Sequence, residues 1–259
     1  MRVITVASVL ALAAVPAVAH AGVYGSINVG GASPSSVSTT IYAPSGAIFG
    51  GGEEILLESL SRSAAPAPAG SDSIEGDYDV NSAVAISGSL GYDFGLIRAE
   101  AEVSYSRHTV RALNVTQLTG FGGDTTTDLQ DGAFDTCFYL GVSSCPSSGN
   151  SIALDGVKLR QLAGMGNLWL DIPVGGKIEP YVGGGIGVVG LESGGEAKSA
   201  FAWQLGAGVA YKLSSHLALT ADVRYREVDP IRFDFGGGEG LNFGRVKTTS
   251  YGVGLRYSF

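Results

Sequence analysis

The stretch Ile97-Arg98-Ala99-Glu100-Ala101-Glu102-Val103-Ser104-Tyr105-Ser106 alternates without a break. Ile97, Ala99, Ala101, Val103 and Tyr105 fall on one face of an extended chain. Arg98, Glu100, Glu102, Ser104 and Ser106 fall on the other. Side chains of a strand point alternately to opposite sides, so this segment separates two different surroundings. One is apolar; the other accepts charge.

The same pattern recurs on both sides of it. Val23, Ile27 and Val29 oppose Tyr24, Ser26 and Asn28. Val84, Ile86, Leu90 and Tyr92 share a face in a strand over about Ser82 to Tyr92. Leu162, Leu168, Leu170 and Ile172 do so over Leu159 to Ile172. A strand over Ile178 to Gly190 is too rich in glycine for a face to be assigned. Phe201, Trp203, Leu205, Val209 and Tyr211 oppose Ala202, Gln204, Gly206, Gly208, Ala210 and Lys212. Leu217, Leu219, Ala221, Val223 and Tyr225 oppose Thr220, Asp222, Arg224 and Arg226. The chain ends on Tyr251, Val253, Leu255, Tyr257 and Phe259 against Ser250, Gly252, Gly254, Arg256 and Ser258.

That makes eight strands, most of them long enough for the ~9–11 residues a tilted membrane strand needs. Their connections alternate long and short. Long loops are expected over about 30–80, 109–158, 191–199 and 227–245, with a short amphipathic helix pattern at Glu53 to Arg62 inside the first. An even strand number, short turns at one end and long loops at the other are the marks of a single-chain membrane barrel. The fold class expected is all-β: an eight-stranded antiparallel up-and-down transmembrane β-barrel. A soluble sandwich or a lipocalin-like cup would turn its apolar faces inward. Its other face would not carry Arg98, Glu100, Glu102, Asp222, Arg224, Arg226 and Arg256.

Composition agrees. Glycine fills 40 of 259 positions, roughly twice the usual ~7%. Only 15% of residues are charged while 45% are hydrophobic, which excludes a disordered acidic chain. After the first residues no apolar run reaches the ~18 residues of a membrane helix. Met1-Arg2, the apolar Val3 to Val18 and Ala19-His20-Ala21 form a secretory signal with cleavage expected after Ala21, at the small residues Ala19 and Ala21. Pro16 and that site argue against an N-terminal anchor. The domains expected are a signal peptide over 1–21 and the barrel over 22–259. The mature chain has 15 basic and 24 acidic residues, a net charge of −9 (15 − 24). No basic footprint for nucleic acid exists.

The stretch IEPYVGGGIG (178–187), the hairpin FAWQLGAGVAYKLSSHLALTADVRYR (201–226) and the terminal YGVGLRYSF (251–259) resemble small bacterial outer-membrane β-barrel proteins. These are the OmpA-like barrel domains, opacity porins and surface antigens of intracellular α-proteobacteria. The resemblance covers about 82–105 and 159–259 and is poor in the two longest loops. It implies a cell outer-membrane location in a Gram-negative bacterium and a terminal aromatic signal, Tyr257 and Phe259, read by the barrel-assembly machinery and periplasmic chaperones. It also implies contact of the barrel with outer-membrane lipid and lipopolysaccharide, and of the loops with a host or surface ligand.

Several groups are candidate sites. Arg98, Glu100, Glu102, Asp222, Arg224, Arg226 and Arg256 would face one narrow interior, where charge is tolerable only in pairs. A salt-bridged plug is expected, with a narrow gated pore as the alternative. Cys137 and Cys145 would meet in an oxidising compartment, so a disulfide is expected. No His or Cys stands near them for metal or catalytic work. Gly185 to Gly190 matches G-x-G-x-x-G but within a strand, where it binds no dinucleotide. His108 has Ser106 and Glu102 nearby, and His216 lies at the opposite end of the barrel. No cofactor, metal or catalytic residue is expected. Glu53, Glu54, Glu58, Asp72, Glu75, Asp77 and Asp79 in the first loop and Asp124, Asp128, Asp131 and Asp135 in the second read as surface solvation, with divalent cations shared with lipopolysaccharide phosphates, or a host ligand, as the alternative. The function expected is a surface protein, structural, adhesive or antigenic through its loops; the alternative is a small porin.

Overall fold

The computed structural model describes residues 22–44, 71–119, 149–154, 158–193, 196–236 and 238–259. Thirteen strands occur among them: β1 (Val23–Pro34), β2 (Val37–Pro44), β3 (Ser71–Val80), β4 (Ala83–Asp93), β5 (Ile97–Thr119), β6 (Ser151–Ala153), β7 (Lys158–Asp171), β8 (Ile178–Ser193), β9 (Glu196–Lys212), β10 (Leu217–Val228), β11 (Ile231–Gly236), β12 (Glu239–Phe243) and β13 (Val246–Ser258).

Eight of them form a ring in the order β5-β4-β1-β13-β10-β9-β8-β7, closed by pairing of β7 back onto β5. Every pairing is antiparallel. Closure leaves the ring without an edge, which is what a sheet in hydrocarbon requires. Both termini of the ring and the turns at 94–96, 173–177 and 213–216 gather at one end. Gly175 and Gly176 take φ of 80° and 78° there, a left-handed backbone that glycine adopts without strain.

At the other end the strands continue past the ring. β2, β3, β11 and β12 and the distal part of β5 form an extension in the order β11-β12-β2-β3-β5, with β6 paired to β5 at Ala112–Asn114. This corrects the long loops expected at 30–80, 109–158, 191–199 and 227–245: much of what is described in each is strand. The reason is a reversal of phase. Within the ring, large apolar side chains point outward: Ile27, Val84, Leu168, Ile186, Leu205 and Val253 are all exposed. Beyond Tyr105 on β5 the rule inverts. Arg107 and Arg111 are exposed while Val110, Leu113 and Val115 are buried. On β7, Leu159 turns inward and Lys158 and Arg160 outward; on β10, Val228 turns inward. Val37, Ile41 and Ala43 on β2 and Ile74, Tyr78 and Val80 on β3 likewise face a dry core. A sheet in lipid must be apolar outside; the same sheet in water must be apolar inside.

The inversion occurs at one level of the ring and marks one edge of the lipid-facing band. Trp203, Tyr105, Tyr225 and Tyr251 sit near that edge, and Tyr92, Tyr211, Tyr257 and Phe259 near the turn end. Aromatic side chains gather at both interfaces of a membrane in this way. Asp72, expected as a solvated loop residue, is instead buried on β3, because its strand pairs with β2 over the dry core; residues 1–21 with Ala19 and Ala21, the segment Glu53 to Arg62, Asp124, Asp128, Asp131 and Asp135, and Cys137 and Cys145 lie outside the described residues.

Candidate functional site in the barrel lumen

All seven charged side chains singled out from sequence point into the ring. They are positioned by strand parity alone: each is an inward residue of β5, β10 or β13. Their further carboxylate and indole partners come from β7 and β8, whose inward faces the sequence left unread, while Tyr24, Ser104 and Gln204 already stood on the polar faces of β1, β5 and β9.

Near the turn end, Arg98 forks onto Asp171 of β7: Nε donates to Oδ2 at 2.6 Å and Nη2 to Oδ1 at 2.8 Å. The guanidinium lies against the Tyr24 and Tyr181 rings at 5.4 and 5.0 Å from their centroids. Arg256 donates to Glu179 Oε2 at 3.2 Å, and Lys212 reaches Glu179 Oε1 at 2.5 Å.

One layer further, Arg224 bridges Glu102 and Asp222, donating from Nε to Asp222 Oδ1 at 2.9 Å. Arg226 lies 3.6 Å from Glu102 and donates to Gln204 Oε1 and Ser104 Oγ. Glu100 is held by four neutral donors: Tyr24 Oη, Ser89 Oγ, Asn167 Nδ2 and Trp169 Nε1, at 2.8–3.0 Å. A buried carboxylate is tolerable when its lone pairs are filled in this manner.

The layer closes because two strands lack side chains opposite it. Trp169, Gly183, Gly206 and Arg224 sit at one register level on β7, β8, β9 and β10. A Cβ on Gly206 would stand 2.9 Å from the Trp169 ring, and one on Gly208 2.5 Å from the Tyr181 ring. The indole therefore lies across the lumen to Arg224, 5.3 Å from ring centroid to guanidinium. Parity set Tyr24 on the polar face from sequence, and it would have placed Trp169, Asp171, Glu179 and Tyr181 inside as well. The glycines that blurred β8 hid that signal for Glu179 and Tyr181.

Above the charges lies a polar chamber of about 60 Å³ with Ser104, Ser106, Gln161, Thr248, Ser250 and Arg226 in its wall. Gln161 Nε2 and Thr248 Oγ1 have no hydrogen-bond partner there. His108 is fully buried beside it, past the lipid-facing part of β5. The Asn81 carbonyl can only accept, so Nδ1 of the neutral ring donates to it at 2.9 Å. Nε2 then accepts from Ser106 Oγ at 2.9 Å. Burial holds the imidazole below its ordinary range, partly offset by the Asn81 bond. His216 sits in the turn at the opposite end, stacked on Tyr257. Gly185 to Gly190 runs within β8. Among the described residues no cluster of His, Cys, Asp and Glu suits a metal.

Toward the extended end, and on β7 from the level of Glu102 outward, the buried side chains turn apolar. Leu159, Ala163, Met165, Val189, Leu191 and Ala202 of the ring join Leu113, Ile152, Ile41, Ile74 and Leu241 of the extension in one buried cluster. Nothing in the chain's sequence-derived plug anticipated this second closure.

The family model for the outer membrane protein beta-barrel domain matches residues 3–259. The chain belongs to that family. It is an outer-membrane protein, so its turn end is periplasmic and its extended end external. No curated protein matches it. Among solved structures it is similar to Neisserial surface protein A, at 12% identity over 92% of this chain and 98% of that one, TM-score 0.46. It is similar to OprG of Pseudomonas aeruginosa, at 16% over 93% and 97%, TM-score 0.49. It is similar to Ail, the attachment invasion locus protein of Yersinia pestis, at 11% over 92% and 100%, TM-score 0.34. Likeness at this level assigns no activity.

Proposed function

We propose that this is a closed barrel of a Gram-negative outer membrane, which anchors an external β-extension and its loops at the cell surface. Its role is structural and surface-interacting, adhesive or antigenic, and neither catalytic nor conducting. One observation carries the reading: two unlike seals are stacked in one lumen. The lower is ionic, with Arg98, Arg224, Arg226 and Arg256 each facing a carboxylate. The upper is a dry apolar cluster. An eight-stranded interior is about wide enough for side chains to fill, and an ion would have to cross both layers. The Ser106–His108 pair is read as structural, because both side chains are buried: the Ser106 bond fixes the ring within β5, and the ring in turn donates to the Asn81 carbonyl between β3 and β4. Export by the signal over 1–21, assembly through Tyr257 and Phe259, a Cys137–Cys145 bridge and contact with lipopolysaccharide belong to the same proposal.

The test is conductance of the refolded mature chain in planar bilayers. Silence at 100 mV is expected. Stable ion-sized steps that change with Arg224→Ala would replace this reading with a narrow porin.

A further inference from the structure

The mature chain is acidic, yet three exposed cations, Arg107, Lys158 and Arg160, stand together on the outward face of β5 and β7, with Arg111 further out on β5 next to the exposed Asp79 of β3. Arg107 and Arg160 are direct cross-strand partners, and Lys158 is the partner of Thr109 at the next outward-facing position, two residues on. Like charges facing each other on neighbouring strands are destabilising. Arg160 reaches Glu192 at 3.0 Å. Among the described residues no carboxylate lies within ion-pair distance of Arg107, Arg111 or Lys158; Lys158 donates instead to Thr109 Oγ1 at 2.9 Å.

The level of the cluster is informative. Tyr105 and Leu162, each two residues toward the periplasm from Arg107 and Arg160, are the last large apolar outward residues of β5 and β7. The guanidinium groups therefore stand where hydrocarbon gives way to headgroups. Beside them the wall is hollowed. Gly88 puts no side chain on the outward face of β4, and a shallow apolar furrow of about 700 Å³ runs from Val103 and Tyr105 of β5 past Ile86 and Val29 to Val253 and Leu219. Its β5 rim ends directly below Arg107. A cationic pair at the end of an apolar furrow fits a molecule that joins phosphate to hydrocarbon chains. Arginine accepts phosphate with two parallel hydrogen bonds, and an anion between Arg107 and Arg160 would turn their repulsion into attraction.

We infer that the outer rim of β5 and β7 is a docking site for the phosphorylated, multiply acylated glycolipid of the outer leaflet, with phosphate on Arg107 and Arg160 and an acyl chain in the furrow. The site gives residues to the lipopolysaccharide contact proposed above, and it is independent of whether the lumen conducts.

The experiment measures binding of purified bis-phosphorylated lipid A to the refolded mature chain in detergent micelles, by native mass spectrometry. Arg107→Gln/Arg160→Gln is compared with Arg232→Gln/Lys247→Gln, which removes the same charge from exposed positions elsewhere. Heat-modifiable mobility on gels checks that each variant is folded. The cluster double is expected to weaken binding at least tenfold and the control double less than twofold. Lipid A stripped of phosphate is expected to bind wild type as weakly as intact lipid A binds the cluster double. Equal losses in the two doubles would reduce the effect to overall charge and overturn the site. So would an unchanged cluster double, or dephosphorylated lipid binding as tightly as intact lipid. Silence or conductance in bilayers bears only on the lumen.

Discussion

Removing the carboxylate of Asp171 should cost far more than removing any surface acid, because Arg98 has nowhere else to go. The Arg98 side chain is 4% exposed and makes its two short hydrogen bonds to Asp171 alone. Tyr24 and Tyr181 flank it, and the Tyr24 hydroxyl at 3.4 Å is the one other polar group within reach. In Asp171→Ala the guanidinium stays buried with its charge uncompensated. Breaking such a pair costs about 3–5 kcal/mol, which is roughly two to four orders of magnitude in the folding equilibrium. Glu192→Ala breaks the Arg160 pair, whose side chains are 44% and 45% exposed; exposed pairs contribute about 0–1 kcal/mol. Replacing both buried partners, in Arg98→Met/Asp171→Leu, leaves no stranded charge and should recover most of the loss. The assay is reversible urea unfolding of the refolded barrel in lipid vesicles, followed by tryptophan fluorescence. Equal costs for Asp171→Ala and Glu192→Ala, or a double variant worse than the single, would refute the buried-pair argument.

Other outcomes follow from the same geometry. Leu219→Arg and Val253→Arg put a charge against hydrocarbon and should each cost about 2–4 kcal/mol in the same assay. Leu113→Ala, in the fully buried external core, should cost about 2–5 kcal/mol while leaving the lipid-facing band folded, as judged by protease protection. Gly206→Leu drives a side chain into Trp169 and Arg224 and should lower refolding yield sharply, with Gly164→Leu, where a Cβ meets nothing, as the tolerated control. His108 has its imidazole pushed down by burial, so the unfolded chain binds its proton more readily than the folded one. Stability from His108 is complete above the ordinary imidazole value, roughly 6.5, and falls as pH drops toward the depressed folded value. His108→Gln should flatten that slope in pH-dependent unfolding.

The ring was legible because its strands carry the strictest alternation: Ile97 to Ser106, Leu217 to Arg226 and Tyr251 to Phe259 each show their outward face without help from packing. The charged side chains inside it followed from the same parity. Their partners were less visible. Asp171 shares a phase with Gln161, Met165 and Trp169, a mixture of polar and apolar residues that mimics no simple face. Glu179 and Tyr181 open a strand of glycines. The extension was harder still. Val37, Thr39, Ile41 and Ala43 alternate with Ser38, Thr40 and Tyr42, but serine, threonine and glycine are turn formers as much as strand residues. Their phase is also opposite to that of the ring. A search for one continuous lipid-facing register therefore reads them as loop. What distinguishes them is water outside instead of hydrocarbon, and that change of solvent is written in where the exposed Arg107, Arg111, Lys158 and Arg160 begin.

That change of solvent is the centre of the account, and nitroxide labels read it directly. A scan along β5 at positions 99, 101, 103, 105, 107, 111, 113 and 115, in the barrel reconstituted in lipid, would measure collision with oxygen and with a water-soluble nickel complex. The account predicts lipid-like signals through 105, an abrupt turn to water at 107 and 111, and protection from both probes at 113 and 115. Lipid-like signals at 113 and 115, or water contact at 101 and 103, would contradict it.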